Sequence, residues 1–168
     1  MNRLSKYFTI FLAAIIFSIP YDAEASRGVG VRPVSPSGAE VKGDQWLFVI
    51  GIDTYIDWPR LNTAVSDARS IKDVLLSRYY FDKDHLIELY DEDATRKKIL
   101  GKLVHLAKNV RQDDSFVIFY AGHGHLDPIT KAGSWIPVES GTEDRSAWVT
   151  NHDIKNYLRV DAIKAKHI

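Results

Sequence analysis

The 168-residue sequence contains no cysteine. No disulfide can brace the fold, no lipid can be attached through a thiol, and no thiolate from within the chain can serve as nucleophile or metal ligand. Excess charge is also missing, since 22 Lys and Arg balance 22 Asp and Glu. A nucleic-acid footprint needs clustered positive excess, so nucleic acid is not expected as a partner. A polybasic membrane-surface role is excluded on the same ground. No run is long enough to cross a bilayer as a helix. The apolar stretch at residues 8–19 holds 12 residues, broken only by Thr9 and Ser18, where a span needs roughly 20.

That short stretch is placed like the core of a secretory signal. Arg3 and Lys6 precede it, Pro20 stops it, and Ala23-Glu24-Ala25 forms a small-x-small cleavage site. Residues 1–25 are therefore expected to be a signal peptide, with an uncleaved anchor as the alternative. The protein is expected to be exported, periplasmic or secreted, and off the membrane once cleaved. Residues 26–44 carry Gly28, Gly30, Pro33, Pro36, Gly38 and Gly43 without an apolar period and read as a linker. Residues 45–168 read as one domain.

The domain opens on Trp46-Leu47-Phe48-Val49-Ile50-Gly51-Ile52, a short continuous apolar run expected to be a strand buried on both faces. Leu61, Ala64, Val65, Ala68, Ile71 and Leu75 then recur at helical spacing, predicting a helix to about residue 80. Residues 86–90 predict a second strand. Thr95 is placed to cap a second helix with Ile99, Leu103, Leu106, Ala107 and Val110 on one face. Residues 115–121 form another apolar strand, residues 135–138 a short extended piece, and Thr150 with Asp153 a capping-box start for a last helix. Alternation of strand and helix predicts an α/β fold. A mostly parallel sheet with right-handed crossovers would form the middle of a three-layer sandwich. Such sheets bind ligands at the carboxyl ends of their strands, here at Asp53 and at Gly122-His123-Gly124.

His123 lies between two glycines just past the third strand. Neutral imidazole is the natural general base near neutral pH. The flanking glycines permit a sharp turn and a close substrate approach, and an N–H freed at the strand end can face a developing oxyanion.

Four segments occur in one order: WLFVIGIDTY at 46–55, LNTAVSDA at 61–68, Asp93-Ala94-Thr95, and FYAGHG at 119–124. Together they resemble the caspase family of cysteine peptidases, most closely its metacaspase-like bacterial members, over residues 46–168. The resemblance implies a caspase-like fold and cleavage of polypeptides. His123 would be the base that takes the thiol proton, and the Gly124 N–H one oxyanion donor. Asp67 matches the family's acidic pocket residue, whose carboxylate would select Arg or Lys before the scissile bond. Residues 135–139 resemble the extended piece that follows the histidine loop. The nucleophilic cysteine of caspases lies about 50 residues after the histidine, and this sequence offers none. Residues 162–168 look like the opening of the strand that would carry it. The chain is thus expected to represent the N-terminal part of a peptidase domain, incomplete at the C-terminus and inactive alone.

Two other readings compete. His123-Gly124-His125-Leu126-Asp127 resembles the metal-binding run of metallo-β-lactamase-type hydrolases, with Pro128 where that family has another histidine and with His152 or His167 to complete a site. Alternatively, a caspase-like domain without its nucleophile would bind peptides or a partner chain through Asp67 without cutting them. The peptidase reading needs no cofactor and no metal. Calcium dependence occurs in the family, but Asp91-Glu92-Asp93 reads as a solvated strand exit, because hard-cation sites need six or more converging oxygens.

Overall fold

The computed structural model describes residues 10–14, 43–79 and 81–158. The rest of the expected signal segment, most of the linker and the expected strand at 162–168 lie outside the described residues. The elements are β1 (Ile10–Ala14), β2 (Gln45–Gly51), α1 (Ala64–Arg78), β3 (Leu86–Tyr90), α2 (Arg96–Asn109), β4 (Ser115–Leu126), β5 (Gly133–Trp135), β6 (Val149–Thr150) and α3 (Asn151–Leu158).

The expected β-α-β-α-β core is present as β2-α1-β3-α2-β4. β2 pairs in parallel with β3 on one side and with β4 on the other. The first crossover leads from β2 to β3 and the second leads back past β2 to β4, so right-handed connections put α1 and α2 on opposite faces. α3 packs beside α2. The sheet is mixed: β5 and β6 continue it antiparallel from the far end of β4, and β1 pairs antiparallel with β4 at residues 119–123. Among the described residues, parallel pairing is confined to β3-β2-β4. The antiparallel part was not expected because strands of three and two residues are too short to show a period.

β2 is buried on both faces as its unbroken apolar run requires, with Leu47, Phe48, Val49 and Ile50 fully enclosed. At its start, the buried Asp114 carboxylate accepts from the Asp44 and Arg111 backbone N–H groups at 2.8 Å and from Trp46 Nε1 at 3.1 Å. Three donors offset the cost of enclosing that charge. At its end, Asp53 caps α1 from a distance: its carboxylate accepts from the Ala64 N–H at 2.8 Å and the Val65 N–H at 3.4 Å. Thr63, the residue at the cap position, makes no side-chain bond there. Asp53 thereby satisfies two of the orphan donors of the helix N-terminus.

The other helix starts follow their sequence signals. Thr95 Oγ1 accepts from the Lys98 N–H, and the Glu139 carboxylate adds a bond from the Arg96 N–H at 2.8 Å. Thr150 and Asp153 form the reciprocal capping box, at 2.9 and 3.0 Å. α1 is shorter than its apolar spacing predicts. Only Ala64 and Ala68 are buried, and Ile71 is partly in solvent.

Those small residues matter because α1 lies directly on β2. A Cβ built on Gly51 would stand 2.8 Å from the Ala68 Cβ and 3.0 Å from the Ala64 carbonyl oxygen. Neither neighbour has a flexible end to swing away. Gly51→Ala is expected to destabilise the chain by about 1–3 kcal/mol through overpacking. Urea denaturation with an unchanged m-value checks this, and an unaltered midpoint would contradict the α1–β2 contact described.

Candidate active site

β4 does not end where its apolar run stops. It continues through Gly122, His123 and Gly124 to Leu126. The expected sharp turn at the glycines is absent: neither has a positive φ. The strand persists because both peptide groups of His123 are held. Its N–H donates to Tyr55 Oη at 2.8 Å. Its carbonyl accepts from the Ile136 N–H at 3.0 Å and from Tyr120 Oη at 2.7 Å. Gly122 is required for a different reason, close approach. A Cβ there would lie 2.6 Å from Tyr55 Oη and 2.7 Å from Tyr120 Oη.

The side chain of His123 is nearly enclosed, 4% exposed. Its ring is tilted against Tyr55, with centroids 4.8 Å apart, and against Trp58 at 5.4 Å. Nε2 lies 2.7 Å from the Pro59 carbonyl oxygen. A carbonyl only accepts, so Nε2 carries the proton and Nδ1 is the basic nitrogen of the neutral ring. Burial pulls the His123 pKa below the ordinary histidine value, and the Pro59 carbonyl opposes it by favouring the cation. The result is an imidazole that is neutral at pH 7 and has a partner waiting for the imidazolium. Burial pushes the Tyr55 hydroxyl up to about 12 and Tyr120 well above its usual value, so both remain neutral hydrogen-bonding groups.

The β4–β5 register orients Gly124. It stands opposite Trp135, and the neighbouring bond runs from the Ile136 N–H to the His123 carbonyl. In an antiparallel ladder this makes Gly124 and Trp135 a non-hydrogen-bonded pair. The Gly124 N–H and C=O therefore face away from β5, toward the opposite edge of β4.

Asp67 stands on the first turn of α1, its side chain exposed and its N–H on the Thr63 carbonyl at 2.7 Å. The structure brings His123, Tyr55, Trp58 and Pro59 together and leaves Asp67 on the adjoining helix. Trp58 and Pro59 were not foreseen as site residues. They belong to a turn 64 positions before His123, and only the visible Pro59 marks them.

His125 points to the same face as His123 but packs on Trp148, with ring centroids 4.7 Å apart. Burial, and then the charge of Arg145, lower its pKa. Asp127 is engaged elsewhere. It accepts from the Thr130 and Ile129 N–H groups at 2.8 and 2.9 Å and from Arg145 Nη1 at 2.7 Å. These bonds, that from Thr130 first, hold its carboxyl well below the usual carboxylate range. His152 is exposed on α3, and His167 lies outside the described residues. The His-x-His-x-Asp run thus does not converge, and no group of three His, Cys, Asp or Glu side chains suited to a metal ion occurs among the described residues.

The sequence model of the family described as "Caspase domain" matches residues 44–166. Curated relatives include Metacaspase-1 of Eremothecium gossypii, 27% identical over 101 residues that make up 56% of this chain and 22% of the relative. Metacaspase-1 of Plasmodium falciparum is 30% identical over 84 residues, 45% of this chain and 14% of the relative. Metacaspase-1 of Candida albicans is 26% identical over 105 residues, 59% of this chain and 23% of the relative. The chain therefore spans less than a quarter of the length of these relatives. Among solved structures, protein GSU0716 of Geobacter sulfurreducens superposes with a TM-score of 0.58 at 18% identity, covering 74% of this chain and 48% of that one. That likeness shows a shared fold. With its matched region extending over most of the sequence, the chain belongs to the caspase domain family of peptidases.

Proposed function

We propose that this domain supplies the general base of a cysteine-type endopeptidase acting on polypeptides. The sulfur nucleophile would come from polypeptide outside these 168 residues, since the sequence contains none. The observation that carries the reading is the bond from His123 Nε2–H to the Pro59 carbonyl. It sets the tautomer, aims the ring, and stabilises the cation formed when Nδ1 takes a proton. In the reaction, Nδ1 would remove the thiol proton and the thiolate would add to the peptide carbonyl carbon. The resulting oxyanion would accept from the Gly124 N–H, and the proton would pass to the departing amine as the C–N bond breaks.

Asp67 is the residue we propose to select Arg or Lys before the scissile bond. Its exposed carboxylate on the first turn of α1 is suited to a charge-assisted bond with a cationic side chain. The sequence signals at residues 1–25 favour a periplasmic or secreted enzyme. The reading requires no metal or organic cofactor, and we propose none. The non-catalytic alternative uses the same residues to hold a basic peptide or a partner chain intact, and the first test below distinguishes the two.

The chain alone is expected to leave Arg- and Lys-containing peptides uncut. Joined to a downstream segment that carries a cysteine, it should gain thiol-dependent cleavage, and His123→Ala should then lower kcat/KM by about 10²–10⁴. Full activity in that variant would remove His123 from its role. Binding of basic peptides without cleavage in the joined protein would favour the non-catalytic alternative.

A second outcome concerns pH. The unfolded histidine titrates near 6.5, and burial lowers the folded value. The unfolded chain therefore binds the extra proton first. Stability should be full above about pH 6.5 and fall as pH drops through that value, levelling off below the folded pKa. His125 acts in the same direction, so the comparison needs a variant. Urea midpoints at pH 7.5 and 5.5 should converge in His123→Asn relative to the parent chain. An unchanged difference between the two pH values would show that His123 is not the group responsible.

A further inference from the structure

Trp58 and Pro59 form a stiff pair. Proline fixes its own φ and keeps the preceding residue out of the helical region, so the two residues present side chain and carbonyl in a set relation. Both reach one imidazole: the Pro59 carbonyl accepts a hydrogen bond from Nε2–H at 2.7 Å, and the Trp58 ring lies 5.4 Å from the His123 ring at 39°. The loop that carries them is pinned by the Ile56 N–H on the Val138 carbonyl at 3.1 Å and the Leu61 N–H on the Asp53 carbonyl at 2.9 Å.

Behind Trp58 stands Trp148, edge-on at 6.0 Å. Trp148 is anchored by Nε1 donating to the Gly141 carbonyl at 3.1 Å and by Arg96 Nε donating to its own carbonyl at 3.1 Å. The Arg145 guanidinium lies 5.6 Å from its ring centroid. Trp58 is different. Among the described residues, its Nε1 is buried without a hydrogen-bond partner. An indole without that bond depends on its ring contacts for its place, and Trp58 sits between His123 and Trp148.

We infer that Trp58 is a positioning residue: its indole, braced on Trp148, confines the His123 imidazole to the Pro59 carbonyl and so to the Nε2–H tautomer. The inference deepens the reading of His123 as a base, and its test reads the ring itself rather than catalysis. A smaller residue at 58 leaves the imidazole room to rotate off the carbonyl and admits water to it. Charged groups act on the neighbouring side chains, Asp53 and Asp91 on Tyr55 and Arg145 and Asp127 on His125, and none of them changes in the variants.

The measurement is a long-range ¹H–¹⁵N correlation spectrum of the full chain labelled at histidine nitrogens, followed through a pH titration. The parent chain and Trp58→Phe, which keeps a flat ring and lacks the N–H, should both show His123 as the Nε2–H tautomer. Trp58→Ala should show a mixture of tautomers, with the His123 titration moved up toward the ordinary value of about 6.5. If Trp58→Ala loses its dispersed amide spectrum, Trp58→Leu, which keeps apolar volume without the flat ring, carries the same expectation. A single tautomer and an unmoved titration in the Ala or Leu variant would overturn the inference. So would a Phe variant that behaves like Ala, because the indole N–H would then matter more than the ring. A joined, cysteine-bearing protein that cut no peptide would sink the peptidase reading and leave this result standing.

Discussion

The parallel pairing of β2 with β4 is the constraint on which the site depends. Seven residue pairs set the register, from Gln45 opposite Ser115 to Gly51 opposite Ala121, and the Ile52 N–H extends the ladder to the Ala121 carbonyl at 3.0 Å. Beyond that bond β2 leaves the sheet while β4 continues. The departing chain is therefore laid across the next residues of β4. Tyr55 meets the His123 N–H, Trp58 meets the ring and Pro59 meets Nε2. A slip of one residue would turn Tyr120 and His123 to the opposite faces. The apolar run of β2 resists such a slip because each of its faces is already packed.

Enclosure and polarity oppose each other at His123. Burial favours the neutral ring, and the Pro59 carbonyl favours the charged one. The balance lies with burial, because a single carbonyl dipole does not replace the hydration that an imidazolium loses. That balance agrees with the base role proposed for it: the resting ring is neutral, and the cation would already have a partner in the Pro59 carbonyl. Tyr55 and Tyr120 contribute without charge. Their hydroxyls hold the N–H and the carbonyl of His123, next to Gly122, where any side chain would collide with them.

The sequence made the scaffold legible where segments were long and periodic. Residues 86–90 and the caps at Thr95 and Thr150 fall where local chemistry put them, because a strand run or a capping box is a property of adjacent residues. His123 was legible as a residue but not as an environment. Its expected setting was a glycine turn with freed N–H groups, whereas the strand runs on because Tyr55 and Ile136, both distant in sequence, satisfy its peptide groups. The Pro59 carbonyl left no trace beyond a turn-forming proline, since a backbone acceptor has no residue type to betray it. Asp53 shows the same limit. It reads as a strand end, and only the fold reveals that it caps α1 in place of Thr63.

The base role proposed for His123 draws on few elements of the fold. Each group that orients His123 comes from the β2–α1 loop, from β4 itself or from Ile136 just after β5. The contacts described for the imidazole thus come from residues 55–136, with Trp148 behind Trp58. In the proposed reading the thiol would approach Nδ1 and the scissile carbonyl would lie near Gly124, whose peptide faces the edge of β4 away from β5. Along that edge the structure pairs residues 119–123 with β1 in antiparallel sense, so the backbone there is competent to take a strand. In the reading proposed above, an extended segment taking this edge in place of β1 would meet an imidazole whose tautomer the Pro59 carbonyl already sets.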